Sequence, residues 1–406
     1  MDYSLVFDTA MEIGYQLAMS GAETYRIEES IHRIMAAYGA RAEVFAIPNS
    51  MTATVTTPGG ESITRLRRIG FHGNDMDTVE LYSNLSRRIC SEKPNPEIAT
   101  KWLQETAARR RCYRLPMFLV GNIVASIGFC LFFGGTALDS LVAALCGLVV
   151  GLISHLSSKL HINNFFATMV TAFSMALCAY LLGYLGINAD AAIVAALMML
   201  VPGLLFINAI RDIIFGDINS GINRLVQVIL IAVAIGLGTG VARSLSFSLV
   251  GTQPDINAQN YGPIVQCAAA FIGCLGFCIL FNIHGIGTLV CALGGTLSWG
   301  AYLFAVHLTD PVVGYLFGTI FAAFYSEAMA RIRHFPAITY LVISIFPLLP
   351  GAGIYYTTSY LADGNMAGFM AKGAETISVA GLMAIGILTV STIVRGTTVW
   401  RQMRHK

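Results

Sequence analysis

The feature that most constrains this chain is a repetition of itself at a separation of 148 residues. Gly128-Phe129-Cys130 recurs as Gly276-Phe277-Cys278, and Leu141-Val142, Ala144-Leu145 and Gly147 recur as Leu289-Val290, Ala292-Leu293 and Gly295. Pro202-Gly203 recurs as Pro350-Gly351, and Gly216-Asp217 as Gly364-Asn365, with no gap needed to keep register. Each copy holds five apolar segments. Five is odd, so the second copy is expected to enter a bilayer from the opposite side. Inverted repeats of that kind are characteristic of secondary transporters that bind substrate where the repeats meet.

Composition narrows the class further. Of 406 residues, 55% are hydrophobic and only 12% charged, against about a quarter charged in soluble domains. Most of the charge lies in residues 1–115, and long apolar runs follow. The predicted organisation is a cytoplasmic α+β domain (1–115), a first five-helix membrane repeat (116–248), an external linker (249–263), a second repeat (264–396) and a cytoplasmic tail (397–406). The net charge of +2 does not suggest nucleic acid. Met1-Asp2-Tyr3 has neither a basic stretch nor an apolar core, so no cleaved signal peptide is expected. Cys274 and Cys278 are four apart in an apolar helix without His or carboxylate partners. Buried small side chains are the plainer reading there, and no metal, disulfide or cofactor is expected.

About 20 helical residues cross a hydrocarbon core. Spans of that length read as Met117–Gly135, Ala137–Ser157, Asn163–Leu185, Asn188–Ile210 and Gly221–Leu245. The second set reads as Val265–Ile283, Gly285–Ala305, Pro311–Arg331, Ala337–Tyr356 and Phe369–Ile393. The predicted fold class is therefore an all-α polytopic membrane protein with ten transmembrane helices in two inverted five-helix repeats, plus the N-terminal α+β domain. Ten spans place Arg109, Arg110, Arg111, Arg114, Lys159, Arg211, Arg331, Arg333, Arg395, Arg401, Arg404 and Lys406 on one side. Only Arg243 and Lys372 fall opposite. The excess of Lys and Arg on cytoplasmic loops predicts a multi-pass protein of the cytoplasmic (inner) membrane with both termini cytoplasmic.

In the soluble region Ser20-Gly21-Ala22-Glu23 has the spacing of a capping box, followed by a helix through Ile27, Ile31 and Ile34 that Gly39 ends. Extended segments are expected at Ala42–Ile47, Met51–Thr57 and Glu61–Ile69, with a turn at Pro58-Gly59-Gly60. Two helices, begun near Asn74-Asp75 and at Asn95-Pro96, close the domain.

The run Ser20-Gly21-Ala22-Glu23-Thr24-Tyr25-Arg26-Ile27-Glu28-Glu29, then Val44-Phe45-Ala46-Ile47-Pro48, resembles the threonine/serine exporter family. Leu348-Leu349-Pro350-Gly351 and the Ala330-Arg331 pair resemble that family's smaller membrane domain. The resemblance covers roughly residues 8–395. It implies efflux of threonine and serine driven by the proton gradient, with Gly21, Glu23, Arg26 and Glu28 as a cytoplasmic family motif. In some relatives the halves are separate chains, and some of those pairs are associated with dicarboxylate (succinate) export. Read structurally, the motif charges are a helix start favoured by the helix dipole; read functionally, they form a surface that gates the inner mouth or senses substrate. A hydrolytic site would need a nucleophile beside a base, and spacing alone does not assemble Ser50, Thr52, Thr54 and His72 into one.

The transport site is expected at the Pro-Gly pairs Pro202-Gly203 and Pro350-Gly351. Proline lacks an N–H and glycine relaxes the backbone, so two broken helices are predicted at equivalent depth. In the next span Arg224 and Gln227 correspond to Lys372 and Glu375, a cation followed one turn on by an acceptor. Ionisable groups inside spans are costly and tend to line a pathway or pair with one another. Glu375 and Glu327 are the candidate carboxylates for proton coupling, and Arg224 and Lys372 could equally snorkel to the membrane faces. Asn208 and Tyr356 are further substrate-binding candidates; Asn122, Ser298, Ser326 and Tyr355 are weaker ones. Arg211, Asp212 and Asp217 read as a cytoplasmic loop cluster, and His284 and His307 as interfacial. The expected partners are a small-molecule substrate (amino acid or dicarboxylate) and the lipid bilayer, with a homo-oligomer left open. No nucleotide-binding loop is present, since Gly59-Gly60 lacks the Gly-Lys-Ser/Thr ending. A passive channel gated by the cytoplasmic domain is the competing class.

Overall fold

The computed structural model describes residues 1–70, 73–184, 186–251 and 258–404. His72, the middle of the expected external linker, Leu185 and Lys406 lie outside the described residues, as do the side chains of Arg395, Arg401 and Arg404. The chain divides into two compact units, one formed mainly by Met1–Tyr113 and the other by most of the remainder.

The first unit holds α1 (Tyr3–Met19), α2 (Thr24–Ala37), β1 (Arg41–Ile47), β2 (Ser50–Thr56), β3 (Ser62–Arg68), α3 (Met76–Glu92) and α4 (Pro96–Ala108). The strands form one antiparallel sheet in the order β1-β2-β3, with Val44 opposite Ala53 and Ala53 opposite Arg65. Period-two alternation puts Ala42, Ala46, Met51, Ala53 and Val55 on a buried face, as a half-buried strand requires. Phe7, Ile13, Leu17, Ile31, Ile34 and Met35 complete the core from α1 and α2. The Pro58-Gly59-Gly60 turn is closed by Gly60 N–H donating to Thr57 O at 2.9 Å, with Gly60 at φ +84°.

One local expectation fails. Ser20 does not cap α2; it is the C-cap of the helix before it, and Glu23 occupies the N-cap of α2 without a side-chain bond. Gly21, at φ +86°, donates to Ala18 O (3.2 Å) while Ala22 donates to Leu17 O (3.0 Å). That is the helix-ending motif in which a left-handed residue closes the last turn. Glycine decides the matter, because the left-handed conformation it adopts ends α1 before α2 can begin.

The second unit is helical: α5 (Leu115–Phe132), α6 (Ala137–Lys159), α7 (Asn164–Gly183), α8 (Ala189–Leu197), α9 (Gly203–Phe215), α10 (Ile218–Val250), α11 (Pro263–Leu280), α12 (Ile286–Val306), α13 (Pro311–Arg333), α14 (Ala337–Ser344), α15 (Gly351–Ala362) and α16 (Met366–Arg404), with a 3₁₀ turn at Phe346–Leu348. Starting points in the second half fall 148 residues after those in the first, to within one residue throughout, and α11 matches α5 at both ends. The pairing matches too. α10 packs on α7 and α15, and α16 packs on the counterparts α13 and α9. α5 and α11 pack on each other, where a Cβ at Gly128 would overlap the backbone of Gly273, and one at Gly276 would overlap that of Ala125. Small residues let the two backbones touch, which is how apolar helices associate in lipid. Gly128 and Gly276, equivalent in the two copies, are thus glycines that this contact requires.

Eight of these helices are long and apolar enough to cross a membrane, or nine if α14 and Phe346–Ala362, bent by 40° at their break, make one span. The expected tenth, Asn188–Ile210, is divided. Residues 198–202 separate α8, nine residues long, from α9, thirteen long, and neither alone reaches the roughly 20 residues a crossing needs. Large apolar side chains such as Leu138 (66% exposed), Phe304 (70%) and Ile377 (61%) cover the outside of the bundle, as lipid contact demands. Two short segments, Phe281–His284 between α11 and α12 and His334–Thr339 leading into α14, group with the first unit.

Candidate functional site

Both Pro-Gly pairs break their helices in the same way. Pro202 (φ −82°, ψ 46°) and Pro350 (φ −76°, ψ 45°) are the N-caps of α9 and α15. Around each, the following glycine N–H bonds back two residues, Gly203 to Val201 O (2.9 Å) and Gly351 to Leu349 O (2.7 Å). A tight turn of this kind suits the fixed φ of proline. The two breaks also meet each other. A Cβ on Gly203 would lie 3.1 Å from Leu349 Cβ, and one on Gly351 would lie 2.6 Å from Met198 Sδ.

Beside the second break lies a cavity of ≈ 360 Å³. Pro347, Pro350, Ala352, Gly353 and Tyr356 form one wall, and Lys372, Glu375 and Thr376 of α16 another. Trp299, Tyr315 and Gln266, with Gln259 and Tyr261 of the connection before α11, complete the lining. Lys372 Nζ donates to both Glu375 oxygens at 2.8 Å, with the two side chains 31% and 48% exposed. Trp299 Nε1–H donates to Gln266 Oε1 (3.1 Å), whose amide donates to Tyr261 O (2.8 Å). Trp299 also stacks on Tyr302 at 4.5 Å between centroids. The arrangement offers one cation, one anion, a helix N-terminus and aromatic faces, so it can hold a small solute bearing both charges.

Of the residues singled out from the sequence, Pro350, Tyr356, Lys372 and Glu375 line this cavity, and Gly351 sits between two residues that do. Pro202, Gly203, Asn208, Arg224, Gln227 and Glu327 are not in its lining. Arg224 instead meets Asp212 of α9, Nε to Oδ2 at 3.0 Å, with the side chains 13% and 7% exposed. Gln227 donates to Asn223 (3.1 Å). The expected cytoplasmic loop cluster is thereby corrected. Arg211 and Asp212 are buried on a helix, 8% and 5% exposed, and only Asp217 is exposed, at the N-cap of α10. Asn122, Ser298 and Ser326 donate to carbonyls of their own helices, four residues back.

The copies differ where it matters. The position 148 after Asp212 is Tyr360, so α15 offers Lys372 no carboxylate and the lysine turns to Glu375 on its own helix. Trp299 and Tyr315 stand where the first copy has Gly151 and Ala167. These two aromatics were not singled out from the sequence, and the signal that finds them is the divergence between otherwise matching copies.

In the first unit, the motif residues are structural ties. Glu28 accepts from Ala46 N–H of β1 (2.9 Å), and Arg26 faces Glu23 at 3.9 Å. A Cβ on Gly21 would meet Gly73 O at 2.8 Å. A polar cluster lies beyond it. Asp75, the N-cap of α3, accepts from Thr78 N–H (3.1 Å), from Arg110 (2.8 Å) and from the Asn282 amide (2.8 Å). Burial pulls the Asp75 carboxyl upward, yet the bonds from Asn282, Thr78 and Arg110 outweigh it and leave its pKa below the ordinary value. Burial dominates at Asp77, which is raised.

Eight or nine apolar helices of spanning length define a multi-pass membrane protein, and a cavity with polar groups in its walls lies beside the break between α14 and α15. Residues 8–246 match the ThrE family of threonine/serine exporters, and residues 266–393 match the family described as "Threonine/Serine exporter, ThrE". The chain belongs to the threonine/serine exporter family. It is 25% identical to "Threonine/serine exporter" of Corynebacterium glutamicum over 96% of this chain and 82% of that protein. It is 23% identical to a protein of Escherichia coli named "Probable succinate transporter subunit YjjP", over 58% of this chain and 92% of that protein. No solved structure matches the chain.

Proposed function

We propose that this protein is a secondary-active exporter of threonine and serine, coupled to the proton gradient and working across the cytoplasmic membrane with both termini inside. In this reading α8–α9 and α14–α15 are each one broken span, which makes ten spans in two inverted repeats. The observation that carries the reading is the cavity at the second break. Its one cation is already balanced by Glu375, 2.8 Å away, so it suits a zwitterion. A dicarboxylate would bring two negative charges to a site whose own charges cancel, which disfavours the succinate alternative. Binding follows from competition. The substrate carboxylate takes Lys372, and the released Glu375 either receives the substrate ammonium or picks up a proton. Trp299 and Tyr315 close over the small side chain, and the Asp212–Arg224 pair braces the first break.

The test is efflux from cells loaded with labelled threonine or labelled succinate, with and without a protonophore. Threonine loss that the protonophore and Glu375→Gln both abolish is the expected result. Succinate loss with threonine retained overturns the substrate. Threonine loss that follows its own gradient, indifferent to Glu375→Gln, makes the protein a passive channel.

A further inference from the structure

Two places in the repeat carry the same unusual backbone. Gly134 (φ +87°), after α5, corresponds to Asn282 (φ +58°), after α11, and Gly186 (φ +78°) corresponds to His334 (φ +59°). Glycine takes this conformation freely, whereas a side-chain-bearing residue does so at a cost and is kept there by its surroundings. At Asn282 the surroundings are explicit. Its amide donates to Asp75 Oδ1 (2.8 Å) and Arg111 O (2.5 Å), and its oxygen accepts from Tyr113 N–H (3.2 Å). Phe281 O accepts from Met76 N–H (3.0 Å), Ile283 O accepts from Tyr113 OH (3.1 Å), and His334 O accepts from Arg87 (3.4 Å). Asn282 and Asp75 are 8% and 9% exposed. The end of α1 supports the grip, since Ser20 O accepts from Asp75 N–H (3.1 Å) and Met19 O from Gly73 N–H (2.9 Å).

The connection so gripped joins α11 and α12. That helical hairpin supplies Gln266 and Trp299 to the cavity, about fifteen residues and so roughly 22 Å away along the helices. The corresponding connection, between α5 and α6, is held quite differently. Gly134 O accepts from Gln259 N–H (2.7 Å) and Gly135 O from Tyr261 OH (3.1 Å), and Gly134, Gln259 and Tyr261 are themselves part of the cavity lining. One hairpin connection therefore edges the cavity while its counterpart is clamped by residues of the first unit. We propose that Asn282 is a positioning residue for transport: the Asp75–Arg111–Tyr113 clamp on it sets the tilt of the α11–α12 hairpin that keeps the Lys372 cavity open, and the clamp releases when access passes to the other side. This rests on that cavity being the transport site.

The experiment uses the full chain in proteoliposomes and reports on the two ideas separately. Ala352 lines the cavity, so Ala352→Cys is labelled with a membrane-impermeant maleimide and read by mass spectrometry at the peptide containing it. Threonine in excess slows that labelling if the cavity binds it. Adding Asn282→Gly, which keeps the left-handed backbone without strain and deletes the side-chain bonds, lowers the labelling rate and the efflux rate about tenfold. In the chain without substitutions, amide exchange at Met76 and Tyr113 rises at least tenfold while threonine is being moved. Labelling within twofold of the parent, with exchange at Met76 and Tyr113 unchanged by threonine, overturns the clamp. If threonine fails to protect Ala352→Cys, the cavity reading falls by itself, and exchange at Met76 and Tyr113 still decides the clamp: a rise supports it and constancy overturns it.

Discussion

Asp212→Asn removes one charge from a pair whose members are 13% and 7% exposed and 3.0 Å apart. At an effective dielectric constant of about 20, two unit charges at that separation attract by roughly 5–6 kcal/mol. Desolvation of both ions takes back most of that, so the pair adds little compared with an apolar replacement. Breaking it is another matter, because the arginine stays behind in a buried place at a cost of roughly 3–5 kcal/mol. The asparagine amide leaves a dipole beside the guanidinium, which brings the expected loss for Asp212→Asn to about 2–3 kcal/mol. Removing the cation as well, with Arg224→Met, restores much of it. The assay is a double-mutant cycle on SDS-induced unfolding of the purified protein, with a coupling of at least about 1.5 kcal/mol expected. If the costs of the two single variants add to within about 0.5 kcal/mol, the two groups do not depend on each other and the bracing role is wrong.

Further outcomes follow from the same geometry. Lys372→Met raises the threonine concentration needed for half-maximal efflux at least tenfold, measured in loaded cells, whereas Arg224→Met reduces rate through protein level and leaves that concentration within about twofold. Trp299→Ala, which deletes the stacked wall and the bond to Gln266, weakens threonine protection of the Ala352→Cys thiol by about tenfold. Gly276→Val costs several kcal/mol and abolishes detergent-stable protein, since its Cβ would overlap the Ala125 backbone, which no side-chain rotation relieves. Asp75 has a depressed folded pKa, so its contribution to stability is present in full above the unfolded value near pH 4 and is lost as pH falls through the folded one. Thermal unfolding of the full chain between pH 5 and pH 2 therefore shows a steeper loss than the same scan of Asp75→Asn.

The order of elements in the first unit was legible because each rests on a local rule. Pro58-Gly59-Gly60 can only turn, Asn95-Pro96 can only begin a helix, and alternation over 42–47 and 51–57 can only bury one face. Ser20 misled for a related reason. A Ser-x-x-Glu spacing fits a helix start, but Gly21 in the left-handed region ends the preceding helix first, and two helices separated by four residues compete for the same signal. The span count depends on continuity, since eight helices are long enough to cross alone and a broken pair counts only when its two pieces are taken as one. The break expected at Pro202 is present, and its five residues leave two pieces too short to cross separately.

By itself the sequence determined the repeat, the helices it generates, the Pro-Gly breaks and the family. The first three follow from spacing along the chain, through periodicities of 148, 3.6 and 2 residues and through the dihedral limits of proline and glycine; the family follows from the resemblance of the runs at residues 20–29, 44–48 and 348–351. Tertiary structure alone decided that Arg224 meets Asp212 while Lys372 turns to Glu375, that a cavity opens beside the second break, and that Asn282 is held by Asp75, 207 residues away. Two copies with the same helices share the backbone preferences that make those helices, so helix signals alone do not distinguish them. The difference comes from which side chains the packed helices bring within 3 Å of each other, and that is a property of the folded bundle.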